Sequence, residues 1–154
     1  MTLNVNEPSD QTLVSEIAGF IRENREAINA ISGSGNVGNT ELEVPAGSTS
    51  LTVGTDLGTY GLEIVIISGA AAVTLAAILG GTNGQVKILI FQDNNITLTD
   101  GAKNNGRFYL NHLPALTNWN PQQDDILAIA NVGGDGGASD HGYWKELYRT
   151  ISVK

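Results

Sequence analysis

The most constraining feature of this sequence is a heptad repeat near its amino terminus. Apolar side chains recur at Val14, Ile21 and Ile28 and, three positions later in each heptad, at Ile17 and Ile31. This spacing places them on one face of a helix, at the a and d positions of a coiled coil. All five are β-branched, and β-branched residues at both positions favour three or more strands over two. The segment therefore predicts a short trimeric coiled coil.

One polar residue interrupts this stripe. Asn24 occupies a d position, where a side chain faces the bundle axis, and a buried Asn there costs stability but specifies register or oligomer number. The predicted trimer axis therefore consists of Val14, Ile17, Ile21, Asn24, Ile28 and Ile31. The alternative is an ordinary amphipathic helix packed on a globular domain, because the repeat is shorter than the usual minimum of about three heptads.

Charge and composition exclude several functional classes. The 154 residues include 16 acids and 8 bases, for a formal net charge of -8. Such a chain repels phosphate backbones and anionic lipids, so nucleic acid is not an expected partner. The absence of cysteine removes disulfide scaffolds and thiol chemistry. The most apolar run, Ala70–Leu79, is shorter than the roughly 20 residues that cross a bilayer, so membrane insertion is not expected.

The rest of the chain has the pattern of an all-β protein. From Thr40 onward apolar and polar residues alternate, and the 19 glycines mark many tight turns. Leu62–Ile67 and Val86–Phe91 are continuous apolar runs, apart from Glu63 in the first and Lys87 in the second. Such runs indicate strands covered on both faces, and in a trimer a second subunit would cover the outer face.

Further strands are predicted by the same pattern, with turn residues between them. They lie at Ile96–Leu98, Arg107–Leu110, Ile126–Ala130 and Tyr143–Val153, while Ala70–Leu79 fits either a strand or a short helix. A loose repeat is also visible, because Val53–Leu75 and Val86–Leu98 both end in a Val/Ile-Thr-Leu strand. The predicted fold is mainly β, with a sandwich or jelly-roll-like domain after the coiled-coil helix.

Three segments follow from these patterns. Residues 1–32 are predicted to form the helical segment, residues 33–39 a Gly/Ser linker, and residues 40–154 the β domain. The linker contains a GxGxxG pattern at Gly33, Gly35 and Gly38. A helix precedes it and a strand-like stretch follows, which is the reverse of a dinucleotide-binding site, so no nucleotide cofactor is expected.

Motifs in the amino-terminal segment and in the later part of the chain resemble those of tailed-bacteriophage proteins. The amino-terminal motifs are similar to the leading segments of phage fibre and tail-associated proteins; they are Pro8–Gln11, Leu13–Glu16 and Ile21–Arg25. The later motifs resemble the β-rich tips of phage fibres and spikes; they are Gly84-Gln85, Ile88–Ile90, Asn94–Leu98, Phe108, Asp125–Leu127 and Tyr143–Glu146. The similarity touches most of the chain, and its motifs are degenerate.

The resemblance implies a homotrimer that is attached to a phage tail or capsid protein through its amino terminus and faces outward at the other end. It implies a virion location after synthesis in the host cytoplasm, which agrees with an acidic start that lacks the features of a signal peptide. The chain is short and has no long shaft or catalytic spike domain. It is therefore expected to be a short fibre, an adaptor or a decoration protein.

Catalytic and metal-binding candidates are few. His112 follows a predicted strand and is expected to be structural, and Asp124-Asp125 is expected to be a pair of solvent-facing turn acids. Adjacent strand residues face opposite ways, which does not suit the paired carboxylates of glycoside hydrolysis. The sequence therefore predicts no enzyme, no cofactor and no metal site.

A glycine-rich loop is the candidate recognition site. Residues 133–141 read GGDGGASDH, and Asp135, Ser139, Asp140 and His141 are its polar members. Its oxygens would suit Ca²⁺, but the spacing is not that of an EF-hand, and an exposed hairpin tip is the favoured interpretation. Host glycan is the candidate ligand. A sugar platform could be built from Trp119, Tyr143, Trp144 and Tyr148. The favoured interpretation is that these aromatic residues pack in the core.

The function predicted from sequence is multivalent attachment by a structural phage virion protein, in which threefold presentation strengthens weak contacts. A trimeric carbohydrate-binding module is the main alternative. A polysaccharide-degrading spike enzyme is a third possibility, which the lack of an acid pair disfavours.

Overall fold

A computed structural model describes residues 37–110, 117–137 and 139–150 of the chain. The chain divides into two compact units, Met1–Gly35 and Asn36–Lys154. All of the described residues belong to the second unit, which is built from β-strands. In the described ranges no helix is long and apolar enough to span a bilayer.

Eleven strands occur in the described ranges. In chain order they are β1 (Val37–Val44), β2 (Ser50–Thr52), β3 (Leu62–Gly69), β4 (Val73–Leu75), β5 (Ala77–Leu79), β6 (Val86–Phe91), β7 (Ile96–Thr99), β8 (Arg107–Tyr109), β9 (Asn118–Trp119), β10 (Ile126–Val132) and β11 (Tyr143–Arg149). They form an eight-stranded sheet in the order β1-β3-β6-β10-β11-β8-β5-β2 and a three-stranded sheet in the order β4-β7-β9.

The first seven strands stack in parallel, one turn of the chain upon the next. Val37 of β1 pairs with Leu62 of β3, and Leu62 pairs with Val86 of β6. β2 pairs in parallel with β5, and β4 pairs in parallel with β7. The repeat length is about 25 residues, within the range of solenoid repeats. The two Val/Ile-Thr-Leu strands of the loose repeat stack in register, Val73–Leu75 on Ile96–Leu98. The first strand of the earlier repeat begins at Leu62 and not at the predicted Val53.

The last two strands close the large sheet. β10 runs antiparallel to β6 and β11 runs antiparallel to β10, with a bulge between Ala128 and Ile129. β11 then lies parallel to β8, whose Arg107 pairs with Ala77 of β5. The large sheet therefore curls around the core. In this sheet, β10, β11 and β8 connect the parallel stack that starts with β1 to the parallel stack that starts with β2.

A tight turn before β8 shows how local sequence sets the chain path. Asn105 and Gly106 have φ angles of 53° and 68°. Left-handed geometry at two successive residues is typical of a type I′ turn and favours the Asn-Gly pair. A Cβ atom on Gly106 would lie 2.2 Å from the carbonyl oxygen of Ile78, so the position has no space for a side chain.

Both sheets contribute to one hydrophobic core. The fully buried residues with the largest side chains include Trp144, Phe91 and Phe108, and the Trp144 indole Nε1 donates a hydrogen bond to the Ile78 carbonyl at 2.9 Å. The smaller sheet adds its own apolar residues to the same cluster, which are Val73, Leu75, Ile96 and Leu98.

An ion pair is buried beside this core. Glu63 and Lys87 are neighbours on β3 and β6, and both side chains have 0% exposure. The Lys87 ammonium donates to the Glu63 carboxylate and, at 2.7 Å, to the Gly58 carbonyl. The same carboxylate accepts from the Thr40 hydroxyl and from the Gly58 amide. Desolvation lowers the pKa of Lys87 below its usual 10.5, and the Glu63 carboxylate partly opposes that shift.

The mainly-β prediction is confirmed, and several strand bounds match closely. β6 covers the predicted Val86–Phe91, and the ambiguous run Ala70–Leu79 contains two short strands. β1 begins at Val37, so residues 37–39 belong to a strand and not to the predicted linker. The parallel pairs differ from the antiparallel pairing that is usual in jelly rolls. The predicted helix and its trimer axis lie outside the described residues.

Candidate functional site

The candidate recognition loop connects β10 and β11. Asp135, Ser139 and Asp140 are exposed in this loop, and His141 is half-buried. The Asp135 carboxylate accepts hydrogen bonds from the Gly137 amide at 2.7 Å and from the Ser139 hydroxyl at 2.8 Å. These bonds lower the pKa of Asp135 below its usual 3.8, because they stabilise the charged form. The predicted residues therefore do lie together in space.

A buried amide holds the base of this loop. Asn131 donates from Nδ2 to the His141 carbonyl at 3.0 Å and accepts at Oδ1 from the Gly134 amide at 2.9 Å. Asn131 could not be identified from the sequence, because one Asn at a strand end carries no distinctive signal. Its position explains how a loop rich in glycine adopts a defined conformation.

His141 connects this loop to the strand edge beside it. Its Nδ1 accepts a hydrogen bond from the Gly80 amide at 3.0 Å. A shallow groove of about 460 Å³ lies between the loop and strands β2 and β5, lined by Thr52, Val53, Leu79, Gly80, Gly136, Gly137 and His141. The lining has apolar walls and one imidazole, without a carboxylate.

The other end of the domain has a smaller, polar depression. It has a volume of about 210 Å³ and is lined by Gln92, Asp93, Asn94, Gln122 and Gln123. The Asp93 carboxylate is already bonded to the backbone amides of Gly69 and Asn95, at 3.0 and 2.9 Å. Its structural role there is to fix the turn between β6 and β7.

The acidic pair near β10 is not a pair of solvent-facing acids. Asp124 is exposed and has a left-handed φ of 68°, but Asp125 is 98% buried, with 2% exposure. The Asp125 carboxylate accepts hydrogen bonds from the Gln122 backbone amide at 2.8 Å and from the Thr150 hydroxyl at 3.2 Å. That part of the prediction is wrong, because Asp125 caps the turn that precedes β10. His112 lies outside the described residues.

The four candidate sugar-binding aromatics do not share one platform. Trp144 is fully buried, as the core interpretation predicts. Trp119 packs edge-on against Phe91 with ring centroids 5.8 Å apart, and the Arg149 guanidinium lies 5.0 Å above its ring. Tyr148 is 59% exposed. Among the described residues no cluster of three or more His, Asp or Glu is arranged to hold a metal ion.

The outer face of the central strands is apolar. Nine apolar residues form three cross-strand rows on β3, β6 and β10, and we call them the outer apolar face: Leu62-Val86-Ala130, Ile64-Ile88-Ala128 and Ile66-Ile90-Ile126. None of the nine is buried, and Ile64 is 38% exposed. On the opposite face of the same strands Val65, Leu89 and Leu127 have 0% exposure.

Comparison with known proteins gives no relative: no family model, curated protein or solved structure matches this chain. The fold and the surfaces described above are therefore the basis for any functional assignment.

Proposed function

We propose that this chain is a structural protein of a tailed-phage particle that works as a homotrimer, either a short fibre, an adaptor or a decoration protein. The observation that carries the proposal is the outer apolar face. A strand that is apolar on both faces belongs in a protein interior or an interface, and here one face meets the core while the other does not. The residue pattern of the amino-terminal segment adds a second self-association signal.

Each of these two features is too small to hold subunits together alone. Nine sheet residues cover about 300 Å², given a strand spacing of about 4.8 Å and a rise of about 3.3 Å per residue. A stable complex typically buries about 800 Å² on each partner. The heptad repeat is also shorter than the usual minimum of about three heptads. A short linker joins the predicted coiled-coil segment, residues 1–32, to the β domain. Association of one of these two parts therefore raises the effective concentration of the other.

The acidic composition agrees with a particle surface exposed to solvent. With a net charge of -8 per chain, a trimer is strongly acidic, which opposes aggregation and disfavours contact with packaged nucleic acid. Residues 1–32 would bind a tail or capsid protein, and the β domain would face outward. The proposal includes no catalytic step, no cofactor and no metal.

The first experiment measures the mass of the full chain in solution. Light scattering and sedimentation at micromolar concentration should return three times the 16.2 kDa of one chain. A monomeric mass over the same concentration range would refute the homotrimer. A second experiment deletes residues 1–31 and asks whether the remaining β domain still joins particles assembled in its presence. Assembly of the truncated chain onto particles would mean that residues 1–31 are not the anchor.

A trimeric carbohydrate-binding module is the second candidate. The groove beside His141 favours it, because apolar walls and a ring N–H donor suit a neutral sugar, and Asp135 and Asp140 stand on the same loop. A glycan array with the full chain separates the two candidates, with a His141→Ala variant as the matched control. Binding that is lost in this variant would favour the module, whereas no binding to any glycan would favour the purely structural role.

A further inference from the structure

We infer that the outer apolar face is the contact surface between copies of this chain, with three copies arranged so that their faces surround a threefold axis. This inference rests on the proposed homotrimer and assigns the surface that forms it in the β domain. The occupant of the face is therefore a second and a third copy of the same chain.

The two faces of the same strands differ in their exposure but not in their apolar character. On β3, β6 and β10 the inward residues are fully buried, but the outward residues are equally apolar and remain in contact with water. The central row makes this clear, since Ile64, Ile88 and Ala128 lie side by side without a polar residue between them. A solvent-facing sheet would show polar residues at these positions.

The two flanks of the outer apolar face differ in charge. The outward residues of β1, on one side of the face, include Glu41 and Glu43, and both are exposed. On the other side β11 places Lys145 opposite Ala130 and Tyr148 opposite Ala128. Two acidic flanks repel one another, whereas an acidic flank and a flank with a lysine and a tyrosine attract. Copies therefore meet with the β1 flank of one beside the β11 flank of the next.

The number of copies depends on how the assembly closes and on the amino-terminal heptads. Contact between two different flanks is satisfied in a ring of copies related by one closing rotation, and it is also satisfied in a twofold pair. Three faces placed around an axis cover one another completely, and each β1 flank then meets the β11 flank of a neighbour. In either arrangement this face buries only about 300 Å² per copy, well below the area typical of stable complexes, so it needs support from the amino-terminal segment. The β-branched heptad residues independently favour three strands.

The absence of cysteine permits a direct test on the full chain. Single variants Ile88→Cys, at the centre of the face, and Thr74→Cys, at an exposed position on the other sheet, each carry one unique thiol. Their rates of reaction with a maleimide are compared at a concentration where the mass is trimeric. We expect the Ile88→Cys thiol to react roughly tenfold or more slowly, because it becomes accessible only when subunits separate.

Charged substitutions provide the second measurement. Ile88→Asp should convert the trimer to a monomer with an unchanged far-ultraviolet circular dichroism spectrum, whereas the matched control Thr74→Asp should remain trimeric. If Ile88→Asp does not fold, the thiol protection of Ile88→Cys still decides the question. Equal labelling rates at the two positions in a trimer would overturn the inference and leave the proposed homotrimer intact.

The remaining outcomes are also decisive. A monomeric mass with free labelling would refute both the homotrimer and this interface. A monomeric mass with slow labelling at Ile88→Cys would mean that another segment of the same chain covers the face. A dimeric mass with slow labelling would replace the threefold arrangement with face-to-face stacking. Each of these results would overturn the inference as stated.

Discussion

Removal of the Lys87 ammonium should destabilise the β domain more than any change of a surface charge. In Lys87→Met the side chain keeps a similar length and apolar stem, but the Glu63 carboxylate loses its only ion-pair partner among the described residues. That carboxylate has 0% exposure and retains two donors, the Thr40 hydroxyl and the Gly58 amide. Breaking a buried pair on one side leaves an uncompensated charge in a medium of low polarity.

The expected magnitude follows from this geometry. Removing one partner of a buried ion pair costs about 3–5 kcal/mol, against a typical total stability of about 5–15 kcal/mol. For a chain of this size that cost lowers the thermal midpoint by roughly 6–20 °C. The double variant Glu63→Gln/Lys87→Met should recover much of the loss, because a neutral amide oxygen still accepts from Thr40 and Gly58 without burying a charge.

The assay is a double-mutant cycle followed by thermal and urea unfolding. All variants must be compared at one protein concentration, because subunit association would also contribute to stability. Lys103→Met is the matched control: Lys103 is exposed, and its ammonium lies 4.7 Å from the Tyr109 ring centroid. Its loss should cost no more than about 1 kcal/mol. If Lys87→Met proves as stable as this control, the reasoning from buried charge is wrong.

Three further predictions concern the core and the loop. Trp144→Phe should cost about 1–3 kcal/mol in urea unfolding, because it leaves the buried Ile78 carbonyl without its side-chain donor, and an unchanged midpoint would contradict this. Asn131→Ala should shift the backbone amide resonances of residues 133–142 while those of β3 stay fixed, since both loop bonds are lost. The pKa of Asp135 is lowered in the folded chain, so the stability it contributes is present above pH 3.8 and is lost as the pH falls through the lower folded value. A nuclear magnetic resonance titration of its carboxyl carbon with a midpoint at or above 3.8 would contradict that direction.

Much of the local β structure could be predicted from the sequence, because alternation and turn residues act over short distances. The bounds of β6 match the apolar run Val86–Phe91, and the Asn105-Gly106 pair forms the left-handed turn that such a pair favours. The sequence also marked the buried ion pair, since Glu63 and Lys87 are the only interruptions of two apolar runs. Each of them is the second residue of its run. Parallel pairing of the two runs in register therefore places Glu63 beside Lys87.

Only the tertiary structure decided which strands became neighbours and which faces met. Strand order depends on long-range contacts whose partners no local pattern specifies, so the parallel stacking of β1, β3 and β6 could not be derived from alternation alone. The same is true of Asp125, which is buried because the chain returns Thr150 to its side. The apolar runs predicted two covered faces, and the fold showed that the core covers one of them and leaves the other at the surface.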